Sequence, residues 1–108
     1  MPDVPPLGEF EQVVLLAVMR LEEEAYGLTV HAEIEKCTKR RVARGAVYMT
    51  LDRLEKKGLL DSSRSDPLPE RGGRARRCYT VTKPAVGALR TSRTALLRLW
   101  QGLEFAKD

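Results

Sequence analysis

The chain is poor in the residues that usually carry metal, redox or membrane chemistry. Histidine occurs once, at His31, and cysteine twice, at Cys37 and Cys78. Two cysteines this far apart make neither a disulfide framework nor a zinc-ligand pair, and reduced thiols are the default in a cytosolic chain. Glu33 and Glu35 flank His31 without the spacing of a closed metal site, so a solvated helix face is its expected setting. The longest apolar run, Val13 to Met19, is seven residues, far short of the roughly 18 that a membrane span needs. The N-terminal Met1-Pro-Asp-Val-Pro-Pro lacks a basic segment leading into an apolar one, so no signal peptide is expected and the cytoplasm is the default location. Nucleophile–base–orienter sets, phosphate-binding glycine loops and paired catalytic carboxylates are all missing, so neither an enzyme nor a cofactor binder is expected.

Basic residues are scarce at the start and crowded later. Residues 1–35 carry one basic and eight acidic side chains. Residues 36–57 carry eight basic and two acidic, and residues 70–78 carry four arginines and one glutamate. The net charge of +4 therefore conceals a strong segregation. A surface with no anionic partner more often mixes its signs, so this pattern reads as a footprint for phosphates. At 108 residues the chain is one domain with a modest core, expected to be helped by a partner chain.

The pattern from Gly8 is helical. Phe10, Val13, Val14, Ala17 and Leu21 fall on one stripe, and Leu15, Leu16 and Val18 extend the apolar surface to other sides. Such a helix has two neighbours, or else is wholly buried in its own chain. A second helix is predicted from about Leu28 to Cys37, with Thr29 as a candidate cap. A basic connector, Thr38 to Ala43, contributes Lys39 and Arg40 as candidate phosphate contacts.

A third helix is predicted from about Arg44 to Lys57. Val47, Leu51 and Leu54 face inward, and Gly58 stands where a left-handed residue would close the helix. The other face offers Arg44, Ala46, Tyr48, Met49, Thr50, Arg53 and Lys56. Such a helix suits a major groove. Gly45 and Ala46 permit close approach, Thr50 and Arg53 are candidate base donors, Met49 can touch a thymine methyl, and Tyr48 can reach a phosphate or pack as a core tyrosine. Ala43 supplies no capping oxygen, which leaves helix-start amides for a phosphate.

Two strands follow, Leu59 to Arg64 and Arg76 to Thr82, joined by a Pro- and Gly-rich turn. Arg71, Arg74 and Arg76 would project from this wing to hold phosphates or enter a minor groove, unless the loop simply solvates itself. A last helix begins near Pro84, with Thr82 as N-cap. Leu89, Leu96 and Leu103 recur every seven residues with Leu99 between them. The seam can pack on its own domain or pair, together with Leu16, against a twin chain; two-fold symmetry favours a homodimer.

The fold expected is α+β, mainly α: a winged helix-turn-helix of three helices and a two-stranded wing, with a C-terminal dimerisation helix. The expected divisions are an arm at 1–7, the winged helix domain at 8–82 and the dimerisation helix at 83–108. Ala25-Tyr-Gly27, Gly45-Ala-Val-Tyr48, Leu51-Asp-Arg-Leu-Glu-Lys-Lys-Gly-Leu59 and Arg71-Gly-Gly-Arg-Ala-Arg-Arg-Cys-Tyr-Thr-Val-Thr82 together resemble the PadR family of bacterial transcriptional regulators. The resemblance runs from about Leu7 to Glu104. It implies a dimeric repressor, often of transport or detoxification genes, that contacts DNA through Tyr48, the polar face of the third helix and the wing arginines. Ala43-Arg44 departs from the Ser-Pro helix start of many relatives. Some relatives hold flat aromatic ligands against a tryptophan between the C-terminal helices; here that position falls to Trp100, whose other setting is dimer-core packing or a surface edge.

The partners expected are therefore double-stranded DNA with a palindromic operator, a second copy of the chain, and a small aromatic effector at Trp100, with no membrane and no metal. The competing reading is a winged helix that binds proteins without sequence-specific DNA binding. The strongly basic wing argues against it. Double-stranded RNA is a third reading, disfavoured because small residues on the reading helix suit a B-form groove.

Overall fold

The computed structural model describes residues 7–64 and 76–103. Helix α1 spans Glu9–Leu21, and a short 3-10 turn, Glu22–Glu24, leads to α2, Gly27–Thr38. Helix α3 spans Arg44–Lys56, strands β1 and β2 are Leu60–Arg64 and Arg77–Val81, and α4 is Lys83–Trp100. The strands pair antiparallel, with Leu60 opposite Val81 and Ser62 opposite Tyr79.

The apolar spacing explains the packing. Val14, Leu15 and Val18 of α1 meet Val30 and Ile34 of α2, and Val47, Leu51 and Leu54 of α3, in one buried cluster. Leu60 and Tyr79 of the wing close it from one side. Glu11, the third residue of α1, is buried and accepts the Gly8 N–H at 3.0 Å, which closes the helix start. Its other oxygen takes a hydrogen bond from Lys57 Nζ at 2.6 Å, tying α1 to the end of α3. Gly58 follows with φ 77°, the left-handed closure expected there. Thr29 is not the cap of α2: it is the third helical residue, and its hydroxyl accepts the N–H of Tyr26, the true N-cap.

Thr82 joins several elements. Its hydroxyl donates to Gly58 O at 2.9 Å and accepts the Ala85 N–H at 3.4 Å, while its own N–H donates to Leu59 O at 3.2 Å. It thus caps α4 as expected and bolts that helix to the end of α3.

The C-terminal helix corrects two expectations. Ala85 and Leu89 are buried in the same core as the other helices, so that core extends past residue 82. Leu89 therefore packs first against its own chain. The helix also ends at Trp100; Gly102 turns with φ 82°, and Leu103 lies beyond the helix. At the other end, Leu7 packs against the core instead of belonging to a free arm. Beyond Leu89 the helix runs outward, and the molecule measures 55 × 40 × 21 Å.

Candidate nucleic-acid interface

The exposed face of α3 carries most of what the sequence placed there. Arg44, Gly45, Ala46, Arg53 and Lys56 are exposed, Tyr48 is 42% accessible and Met49 64%. A side chain at Gly45 would meet open space, so the start of this face is low and approachable. No side chain caps the helix start. Thr50 is the exception. It is 4% accessible and is buried with Val47, Leu51 and Leu54 on the inner stripe, so it is not part of the exposed face.

The aromatic side of the site is more closely organised than its sequence suggested. Tyr26, Tyr48 and Tyr79 line one open cavity of about 290 Å³ together with Gly27, Arg76 and Arg77. The edge of the Tyr48 ring lies directly over Gly27. The Arg76 guanidinium stacks on the Tyr26 ring, 3.7 Å from its centroid. This contact fixes the base of the wing against the start of α2. A backbone bond from Tyr79 N to Ala25 O, 2.9 Å, does the same from the strand. Burial pushes the Tyr79 phenol above its ordinary value of 10.0, with Arg77 opposing, so the ring is a neutral wall.

The basic groups divide into paired and outward-facing. Arg77 lies between Asp52 and Glu55 of α3, at 3.4 and 3.6 Å, and serves to hold wing to helix. Arg40 pairs with Glu9 at 3.3 Å across an exposed surface. Such a pair is weak enough to open for a phosphate. Lys39 is exposed with φ 61°, where α2 closes. Arg71 and Arg74 lie outside the described residues. Tyr26 and Gly27 are additions to the expected site; their adjacency in the sequence was the available signal, but only the fold brings Tyr48 and Arg76 onto them.

A family model described as the transcriptional regulator PadR-like family matches residues 15–88. The chain belongs to the PadR-like family. PadR-family proteins are DNA-binding transcription factors and not enzymes. RosR of H. salinarum is 27% identical, with a TM-score of 0.68 over 93% of this chain and 83% of that one. A PadR family transcriptional regulator from Eggerthella lenta is 25% identical, with a TM-score of 0.67 over 87% of this chain and 81% of its own. A PadR-like transcriptional regulator from Bacillus cereus shares the fold at 23% identity and a TM-score of 0.63, covering 86% of this chain and 92% of that one. No curated protein matches the chain significantly.

In this PadR-like chain a second surface lies away from α3. Leu16 and Met19 of α1, which are 48% and 43% accessible, face Leu96, Leu97 and Trp100 of α4 across a groove of about 490 Å³. Leu99 is 72% accessible and does not line that groove; Leu103 is half-exposed after the helix end. The α4 side of the groove thus keeps Leu89 and Leu96 of the seven-residue repeat and adds Val86, Leu97 and Trp100, while Leu99 and Leu103 fall outside it.

Proposed function

We propose that this chain is a sequence-specific repressor that binds a palindromic operator as a homodimer in the cytoplasm and controls a nearby transport or detoxification gene. The observation that carries the DNA-binding reading is the exposed α3 face, with Arg44 and Arg53 outward and Gly45 open to approach, beside a wing base anchored by Arg76 on Tyr26. Arg53 would read base edges and Met49 a thymine methyl. Lys39, Arg40, Arg44 and Tyr48, with wing residues Arg71 and Arg74, would address the backbone, while Arg76 anchors the wing from its stack on Tyr26.

The homodimer reading is supported by the exposed apolar seam of α4 and its groove with α1. Exposed leucines this dense on one helix normally find a partner. Leu16, Leu96 and Leu97 would lie at the interface, with Leu99 and Leu103 at its margin. A planar aromatic effector would enter the same groove beside Trp100, where displacing one helix against its twin changes the spacing of the two reading heads.

Selection of bound duplexes from random DNA tests the reading. A two-fold symmetric site should emerge, with half-sites one or two helical turns apart. Affinity for it should fall steeply as salt rises, because each dimer neutralises several phosphates. A pool with no enriched sequence, bound equally at all salt concentrations, would leave a protein-interaction module as the function.

A further inference from the structure

We propose that His31 and Glu35 are positioning residues for the reading helix, acting through the backbone of Val42; this role rests on the DNA-binding reading above. Residues 39–43 have no regular structure, yet they set the direction in which α3 leaves α2. His31 and Glu35 lie one turn apart on α2. Glu35 Oε2 accepts the Val42 N–H at 2.8 Å, and His31 Nε2 lies 2.7 Å from Val42 O. A carbonyl oxygen only accepts, so His31 carries its proton on Nε2. The same nitrogen is 3.5 Å from Glu35 Oε2.

One residue of the connector is therefore held by both of its backbone polar groups, from a single helix face. The His31 side chain is 16% accessible, so its bond is sheltered from water, and the Val42 side chain packs against the core below. Ala43, the next residue, is the N-cap of α3 and has no side-chain cap of its own. The grip on Val42 fixes the chain one residue before this uncapped helix start. Base reading requires hydrogen bonds in register with a groove, whereas non-specific attraction to phosphates tolerates a tilt. Loosening Val42 should thus cost operator preference and spare binding to random DNA.

The test uses the full chain and compares affinity for its selected operator with affinity for a random duplex of equal length. Glu35→Ala and His31→Leu remove the grip. Glu35→Gln keeps an acceptor oxygen while losing the same charge as Glu35→Ala, and His31→Gln keeps an N–H donor. The Ala and Leu variants should each lower the operator-to-random ratio by about five- to tenfold, the size of one sheltered hydrogen bond, while the Gln variants stay near wild type. Amide exchange without DNA should be slower at Val42 than at Arg41 in the unaltered chain, and should accelerate in Glu35→Ala. Equal exchange at the two amides overturns the grip even if the variants fail to fold. An unchanged ratio, or Gln variants as impaired as Ala and Leu, overturns the positioning role alone. A wild-type chain with no operator preference overturns the DNA-binding reading and this role with it.

Discussion

Gly27 is bare because Tyr48 lies on it: the first side-chain carbon of any other residue there would collide with the edge of the Tyr48 ring. The glycine begins α2 and the tyrosine belongs to the exposed face of α3, so one missing methyl decides where a candidate phosphate contact points. Gly27 is not among the positive-φ glycines, so its role is clearance and not backbone freedom.

Gly27→Ala should therefore separate binding from stability. The ring edge can swing into solvent, so the melting temperature should change little. Operator affinity should drop by roughly tenfold, the value of one hydrogen bond to a charged group. A Gly27→Ala, Tyr48→Ala double variant should lose no more than Tyr48→Ala alone. Additive losses in a binding titration would mean that Gly27 acts by another route.

Arg53 and Thr50 are one turn apart in sequence but differ in fate. Arg53→Ala should relax base preference in a selection experiment, because one good base contact is worth about 1–3 kcal/mol of discrimination. Thr50→Val should leave that preference intact, since the side chain is only 4% accessible. A shifted consensus from Thr50→Val, with none from Arg53→Ala, would invert the proposed reading face.

Glu11 predicts an acid-sensitive fold. Burial raises its carboxyl, but hydrogen bonds from Lys57 and Gly8, with the charges of Lys57 and Arg53, outweigh burial and hold it below the ordinary 4.5. A group with a depressed folded-state value stabilises fully above its unfolded value, and that stabilisation is lost as pH falls through the folded one. Stability should therefore decline below about pH 4.5. In Glu11→Gln this part of the decline should vanish while neutral-pH stability falls. Denaturant melts between pH 3 and pH 7 check it; a Glu11→Gln curve parallel to wild type would remove Glu11 from the account.

The two ends of α4 should respond differently. Leu89 is 8% accessible, so Leu89→Ala should cost about 2–5 kcal/mol of folding stability. Leu96→Asp with Leu97→Asp should leave the fold intact and yield monomers in sedimentation. DNA affinity should fall with the dimer. Persistent dimers in that variant would assign the interface elsewhere.

Much of this was legible beforehand. Val47, Leu51 and Leu54 with Gly58 announced α3, and Tyr79 with Val81 announced the return strand, because period and turn chemistry are local. Thr50 has the chemistry of a base donor but the position of a core residue: the spacing 47, 50, 51, 54 puts it on the inner stripe. Leu89 and Leu96 share a periodic seam, but periodicity names a face, not which chain covers it. The end of α4 was marked by Gly102, whose left-handed turn precedes Leu103. His31 gave no local signal, since its partner Val42 is eleven residues away and reached only by folding.

Thr82 touches the end of α3 with its hydroxyl and starts α4 with the same oxygen. The proposed reading helix and the proposed dimer helix are therefore bolted together at one joint and use separate residues beyond it. The exposed outer turns of α4 can therefore be lengthened, shortened or resurfaced without disturbing the joint that holds the proposed reading face.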